Sequence, residues 1–184
     1  MSEPATDGRR ARGERTRLAL LEATLDVVAR DGVAGVTHRS VTRQAGVPAT
    51  SAAYHFPSID HLLDAALSWA DQQNSSALAS IADSADPVAD LARWLVDVMC
   101  HERARCLGEY ELYLHAAREP AFRPAATRWL EDLHSLVGGL TTSPRAVGIV
   151  CAYVDGLLIQ AQVTGATPDP AEVEASIRSV LDAS

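Results

Sequence analysis

The chain contains no lysine: all 16 of its basic residues are arginine. That bias is what GC-rich codon usage produces, so no function is drawn from it. Aromatic residues are scarce at 5%, and runs of β-branched residues are few, which removes the usual material of a β-sheet core. Only three cysteines occur, Cys100, Cys106 and Cys151. An odd, small set makes no disulfide framework and points to a reduced, cytoplasmic setting. The opening MSEPATDGRRARGE lacks the apolar centre of a secretory leader, and no run reads as long enough to span a bilayer, so no membrane partner is expected. Catalytic signatures are missing too. There is no Ser/His/Asp set, glycine-rich phosphate loop, HExxH or carboxylate pair facing one helical site, so the chain is not expected to be an enzyme. Cys100-His101, Cys106 and His115 offer atoms that zinc favours, yet without CxxC spacing and across different helical faces, so neither metal nor cofactor is expected.

What is present favours helices. Hydrophobic residues make up 47% of 184, with alanine abundant, and the apolar positions recur at steps of three and four. The reading is all-α, with about nine helices. Net charge is −8, but it is polarised: residues 1–57 hold eight arginines against six acids, and residues 58–184 eight against eighteen. A basic head on an acidic body would orient the protein on a polyanion.

The stretch Val36 to Leu63 carries the sharpest signal. Thr37 can cap a helix over about 38–45, in which Val41 and Ala45 face inward while Arg39, Arg43 and Gln44 stay polar. Ala45-Gly46-Val47-Pro48 then stops that helix and starts another, the punctuation of a helix-turn-helix. The following segment, Ala49 to His55, is small or hydroxyl-bearing at Ala49, Thr50, Ser51, Ala52 and Ala53 before Tyr54 and His55. Its backbone could approach a DNA groove and still offer hydrogen bonds. Ahead of it, Leu18, Leu21, Leu25 and Val28 mark a bracing helix, and Arg9, Arg10, Arg12, Arg15 and Arg17 form an arm suited to phosphates. Behind it, Ser58 caps a long rod whose stripe runs from Ile59 to Ile81, with Phe56 as anchor between head and rod. Later helices start at Asp86-Pro87 and Ser143-Pro144; in one of them Leu107, Tyr110 and Leu114 are expected inward. In the eighth, Val147, Cys151, Val154 and Leu158 step by four and three like a helix–helix seam.

Through the head the sequence resembles the TetR family of bacterial one-component regulators, on the run Thr37, Val41, Thr42, Ala45, Gly46, Val47, Ser51, His55, Phe56, Ser58 and Leu62. The resemblance implies a three-helix head at 14–57, preceded by a disordered arginine arm at 1–13 and followed by a ligand-binding and dimerisation body at 58–184. DNA contacts are then expected from Thr37, Arg39, Ala49, Thr50, Ser51, Tyr54, His55, Arg10 and Arg12. Helices four to seven would hold an effector pocket, drawing on Trp69, Trp94, Met99, His101, Tyr110, Tyr113, His115, Arg118, Phe122 and Trp129. Helices eight and nine would pair two copies through Val147, Cys151, Val154, Leu158, Val173 and Ile177. Implied partners are a pseudo-palindromic DNA operator, a second copy of the chain and an apolar small-molecule effector, with repression as the family's habit. The pattern departs at Ile59, where the family often has a lysine, and at Ala49, Thr50 and Ala53, which leave the recognition helix poor in charge. The rival reading is a helical ligand-binding or protein-interaction module without specific DNA binding.

Overall fold

The computed structural model describes residues 4–183, which form nine α-helices and two short 3-10 turns, with no strand among the described residues. The first helix, α1 (Pro4–Asp31), buries Leu20, Leu21, Leu25, Val27 and Val28. Thr24 is wholly buried but donates its hydroxyl to the Leu20 carbonyl at 2.7 Å, so it enters the core without an unpaired donor. Residues 1–3 of the expected arm lie outside the described residues. From residue 4 onward the arm is helical rather than disordered. Arg10, Ala11, Arg12 and Glu14 are good helix formers, and they extend a helix that the packed segment behind them has already nucleated.

The head closes with two short helices. In front of α2 (His38–Ala45), Thr37 Oγ1 accepts the Ser40 N–H at 2.9 Å while Ser40 Oγ accepts the Thr37 N–H at 2.8 Å, a reciprocal cap. Gly46, at φ 65°, ends α2 and lets the Val47 N–H reach the Thr42 carbonyl at 3.1 Å. The helix after the turn, α3, is shorter than expected, Ser51–His55, with Ala49 and Thr50 left in the turn before it.

Ser58 caps α4 (Ile59–Ala82) by accepting the His61 N–H at 3.2 Å. At 24 residues, α4 spans about 36 Å. Its first half gives Leu62, Leu63, Ala66 and Leu67 to a core shared with the head; Leu78 and Ile81 belong to a second core in the body. The body adds α5 (Pro87–His101), α6 (Arg103–Arg118), α7 (Arg123–Gly138), α8 (Pro144–Thr164) and α9 (Pro170–Asp182). Asp86, Ser143 and Asp169 cap α5, α8 and α9, each followed by proline in the first turn. The head core continues into Leu112 and Ala116 of α6 and Ala125 and Ala126 of α7, so head and body share buried surface. At one point α6 lies directly on α1: a Cβ added to Gly108 would fall 2.6 Å from the Leu25 carbonyl oxygen.

Three expectations need correction here. On α6, Leu112 is buried and Leu114 exposed, because the helix turns Cys106, Gly108, Leu112 and Ala116 toward its neighbours and leaves the stripe through Leu114 outside. On α8, Cys151, Val154 and Leu158, together with Val173 and Ile177 of α9, are buried inside a single chain, and Val147 is half-buried against the same core. That seam joins α8 to its own subunit, so the five buried residues are not free to meet a second copy, while Val147 keeps part of its surface exposed. Finally, α8 with its 21 residues is long and apolar enough to cross a membrane by length and composition, against the expectation that no such run exists. In the fold, one side of it packs into the body core.

Candidate DNA interface and effector cavity

In the head, burial divides the recognition segment by side. Ala52 is fully buried and anchors α3, while Ala49, Thr50, Ala53 and Tyr54 are exposed, Tyr54 at 85%. Ser51 and His55 are half-buried, and the Tyr54 and His55 rings meet edge to face at 5.1 Å. Thr50 sits at the N-cap of α3, and its hydroxyl makes no cap hydrogen bond. Thr37 differs: its hydroxyl is engaged in the cap of α2, which makes its first duty the shape of the head. Arg39 and Arg43 are exposed on α2, and Arg10, Arg12 and Arg15 on α1; the Arg9 side chain lies outside the described residues. Arg17 lies with its guanidinium 5.5 Å from the centre of the buried Phe56 ring, fastening α1 to the end of α3. Arg30 donates to Gln44 at 3.0 Å, and Gln44 to Asp26 at 3.0 Å, tying α2 against α1. Ile59, where a phosphate-binding lysine would stand in the family pattern, packs against the head core.

In the body, a cavity of about 50 Å³ lies where α4, α5, α6 and α7 meet, closed on one side by Leu158 of α8. Trp94 and Trp129 form one wall, their rings 6.2 Å apart and tilted by 36°, and Tyr110 and Tyr113 form another. Asp155 of α8 accepts from the Trp129 indole N–H at 3.0 Å and from the Tyr110 hydroxyl at 3.2 Å, fixing both walls. Burial, with Asp155 next, raises the Tyr110 phenol well above its ordinary range, so the hydroxyl stays a donor.

Four of the ten expected pocket residues line this cavity: Trp94, Tyr110, Tyr113 and Trp129. The other six face elsewhere. Trp69 packs half-buried against the head core, and Phe122 is buried there with His115 edge-on at 5.1 Å. Met99 is buried in the body core. His101 is exposed beside Asp97 at 2.8 Å, and Arg118 is exposed at the end of α6.

Reading the sequence for aromatics misses the polar members of the wall. Asp71 and Asn74 of α4 and Glu109 of α6 line the cavity, so the lining is acidic as well as apolar. Two of the three carry a signal: Asp71 and Asn74 interrupt the inward stripe Leu67, Ala70, Leu78, and a polar residue at a core position needs a reason. Asp71 is only 4% exposed, and burial pushes its carboxyl up to about 6 against the pull of Arg128. Glu109 is raised by burial and held by Arg105 at 3.1 Å and by the Asn74 amide at 2.9 Å. Cys106, also in the lining, and Cys151 have thiols pushed up to about 12 and about 11, in both cases by burial first; they stay protonated and unreactive. Cys100 is exposed.

Residues 20–66 match the family model of bacterial regulatory proteins, tetR family, and residues 79–183 that of the tetracyclin repressor-like C-terminal domain. Among solved structures, a TetR family member from Streptomyces coelicolor (SCO1917) is 33% identical over 90% of this chain and 98% of its own, with a TM-score of 0.78. The multidrug binding protein EbrR complexed with ethidium is 33% identical over 90% of this chain and 98% of its own, with a TM-score of 0.71. The same protein complexed with malachite green gives 32% identity over 90% and 97%, and a TM-score of 0.72. No match was found among the curated proteins.

Proposed function

The chain belongs to the tetR family of bacterial regulatory proteins, and from that membership we propose that it is a repressor released from a pseudo-palindromic operator when an aromatic small molecule enters the α4–α7 cavity. Members of this family are ligand-responsive DNA-binding transcriptional regulators and not enzymes. The observation that carries the proposal is the course of α4. One uninterrupted helix contributes Leu62 and Leu63 to the core beneath the recognition helix, and Asp71 and Asn74 to the cavity wall.

A cavity of about 50 Å³ holds a water or two, whereas pockets for drug-sized ligands are roughly 300–1,000 Å³. An aromatic effector must therefore part α4, α6 and α7, and any shift of α4 is delivered to the head. EbrR, described as complexed with ethidium, malachite green and proflavin, supports aromatic dyes as the first compounds to try.

The functional unit is a homodimer acting in the cytoplasm. With the inner side of α8 spent on its own subunit, the side left for a second copy presents Gly148, Ile149, Ala152, Ile159 and Val163, the last 82% exposed. Small residues at 148 and 152 let two helices approach closely. A two-fold pair would set its recognition helices about 34–36 Å apart or a multiple of it, matching successive major grooves. Titrating labelled duplex from the region upstream of the gene should give a salt-sensitive complex tighter than that with random duplex, dissolved by malachite green. Equal affinity for both duplexes removes the regulator reading; a specific complex indifferent to every aromatic compound removes the effector.

A further inference from the structure

Resting on the reading of the cavity as an effector pocket, we propose that its ligand is an aromatic cation whose charge replaces the Arg128 guanidinium on Asp71, so that Arg128 is a built-in competitor the effector must displace. The two buried acids of the cavity are held differently. Glu109 belongs to a network: Arg105 lies 3.1 Å from it, 2.7 Å from Glu102, and donates to Asn74 Oδ1 at 3.1 Å, while Asn74 donates to Glu109 at 2.9 Å. Among the described residues Asp71 has one ion-pair partner, Arg128 Nε at 3.2 Å, on a side chain 41% exposed. Asp71 Oδ2 and Glu109 Oε1 are both fully buried and accept no hydrogen bond, but Glu109 keeps the Asn74 amide on its other oxygen. Asp71 is thus a carboxylate in the cavity wall, met by a poorly aligned guanidinium from α7.

The charge around Asp71 favours a closer cation. From α7 it faces Arg128, Asp132 and Glu131, and from α6 the carboxyl of Glu109. Burial outweighs Arg128 in setting the Asp71 carboxyl, which stands at about 6 and is mostly ionised at neutral pH. The other walls supply the π faces of Trp94, Trp129, Tyr110 and Tyr113, whose negative quadrupoles attract a delocalised cation. A neutral aromatic that pushed Arg128 aside would leave Asp71 buried and unpaired, which is the costly outcome. A cation that does so restores the pair.

The test measures binding of ethidium, a permanent cation, and of its uncharged parent ring system phenanthridine, to the full-length protein at pH 7.5. The variants are Asp71→Asn, Arg128→Gln and Glu109→Gln, each checked by helical circular dichroism. Arg128→Gln should tighten ethidium about threefold or more, the scale of a half-exposed ion pair. Asp71→Asn should weaken ethidium by on the order of thirtyfold and leave phenanthridine no weaker. Glu109→Gln should keep the preference for the charged compound. A second measurement needs no variant: wild-type affinity for ethidium should fall as pH drops through 6. If ethidium binds the free protein but ignores Asp71→Asn and Arg128→Gln, or if Glu109→Gln alone abolishes the preference, the proposal is overturned and the effector pocket survives. If neither compound binds, the cation proposal falls, and the effector reading falls with it only if the DNA complex is indifferent to every other aromatic compound as well.

Discussion

The buried carboxyl of Asp71 should make the protein less stable as it ionises, and Asp71→Asn should remove that penalty. Its pKa rises on folding, from an ordinary 3.8 to about 6, so the folded state prefers the protonated form. The sign follows: stability is fully present below pH 3.8 and is lost as pH climbs through 6. A rise of this size corresponds to ~3 kcal/mol at pH values well above 6. Arg128 already opposes the rise, so the figure is what remains after its help. For a chain of this length 1 kcal/mol moves Tm by about 2–4 °C, so the asparagine variant should melt on the order of 6 °C higher at pH 7.5. The gap should shrink below pH 6 and close near pH 4. Thermal melts of both proteins at one fixed concentration, since an associating protein melts in a concentration-dependent way, measure the difference at each pH and cancel every other titrating group. A wild type that melts above the variant at pH 7.5, or a gap equal at pH 4 and 7.5, would refute the reasoning. Confirmation would mean that the site holds an unfavourable charge that a ligand can relieve, as binding residues often do.

Arg39→Ala and Tyr54→Ala should weaken operator binding without lowering Tm, because both side chains are exposed; Arg39→Ala should also reduce the salt slope by about one if it meets a phosphate. Gly108→Val should destabilise by ~1–3 kcal/mol in a denaturant titration, since its Cβ would press on the Leu25 carbonyl from 2.6 Å. Ile159→Arg, on the outer side of α8, should give a folded monomer by light scattering. Val154→Arg should instead unfold the chain, because that position is wholly buried within one subunit.

The contrast between Ile159 and Val154 marks where sequence reasoning stops. The head is legible because its instructions are local: Thr37 and Ser40 cap α2 within four residues, Gly46 takes a left-handed turn that L-residues avoid, and Ser58 caps α4 three residues from the amide it serves. Helix starts at Asp86-Pro87 and Ser143-Pro144 are legible for the same reason. What periodicity cannot supply is the identity of the neighbour that covers an apolar stripe. Val147, Cys151, Val154 and Leu158 repeat as an inter-subunit seam would, and α5, α7 and α9 of the same chain cover them. The same ambiguity scatters the pocket aromatics. Residue type alone picks out Trp69 and Phe122, yet both are claimed by the head core, which reaches into the body because α6 is pressed against α1 at Gly108.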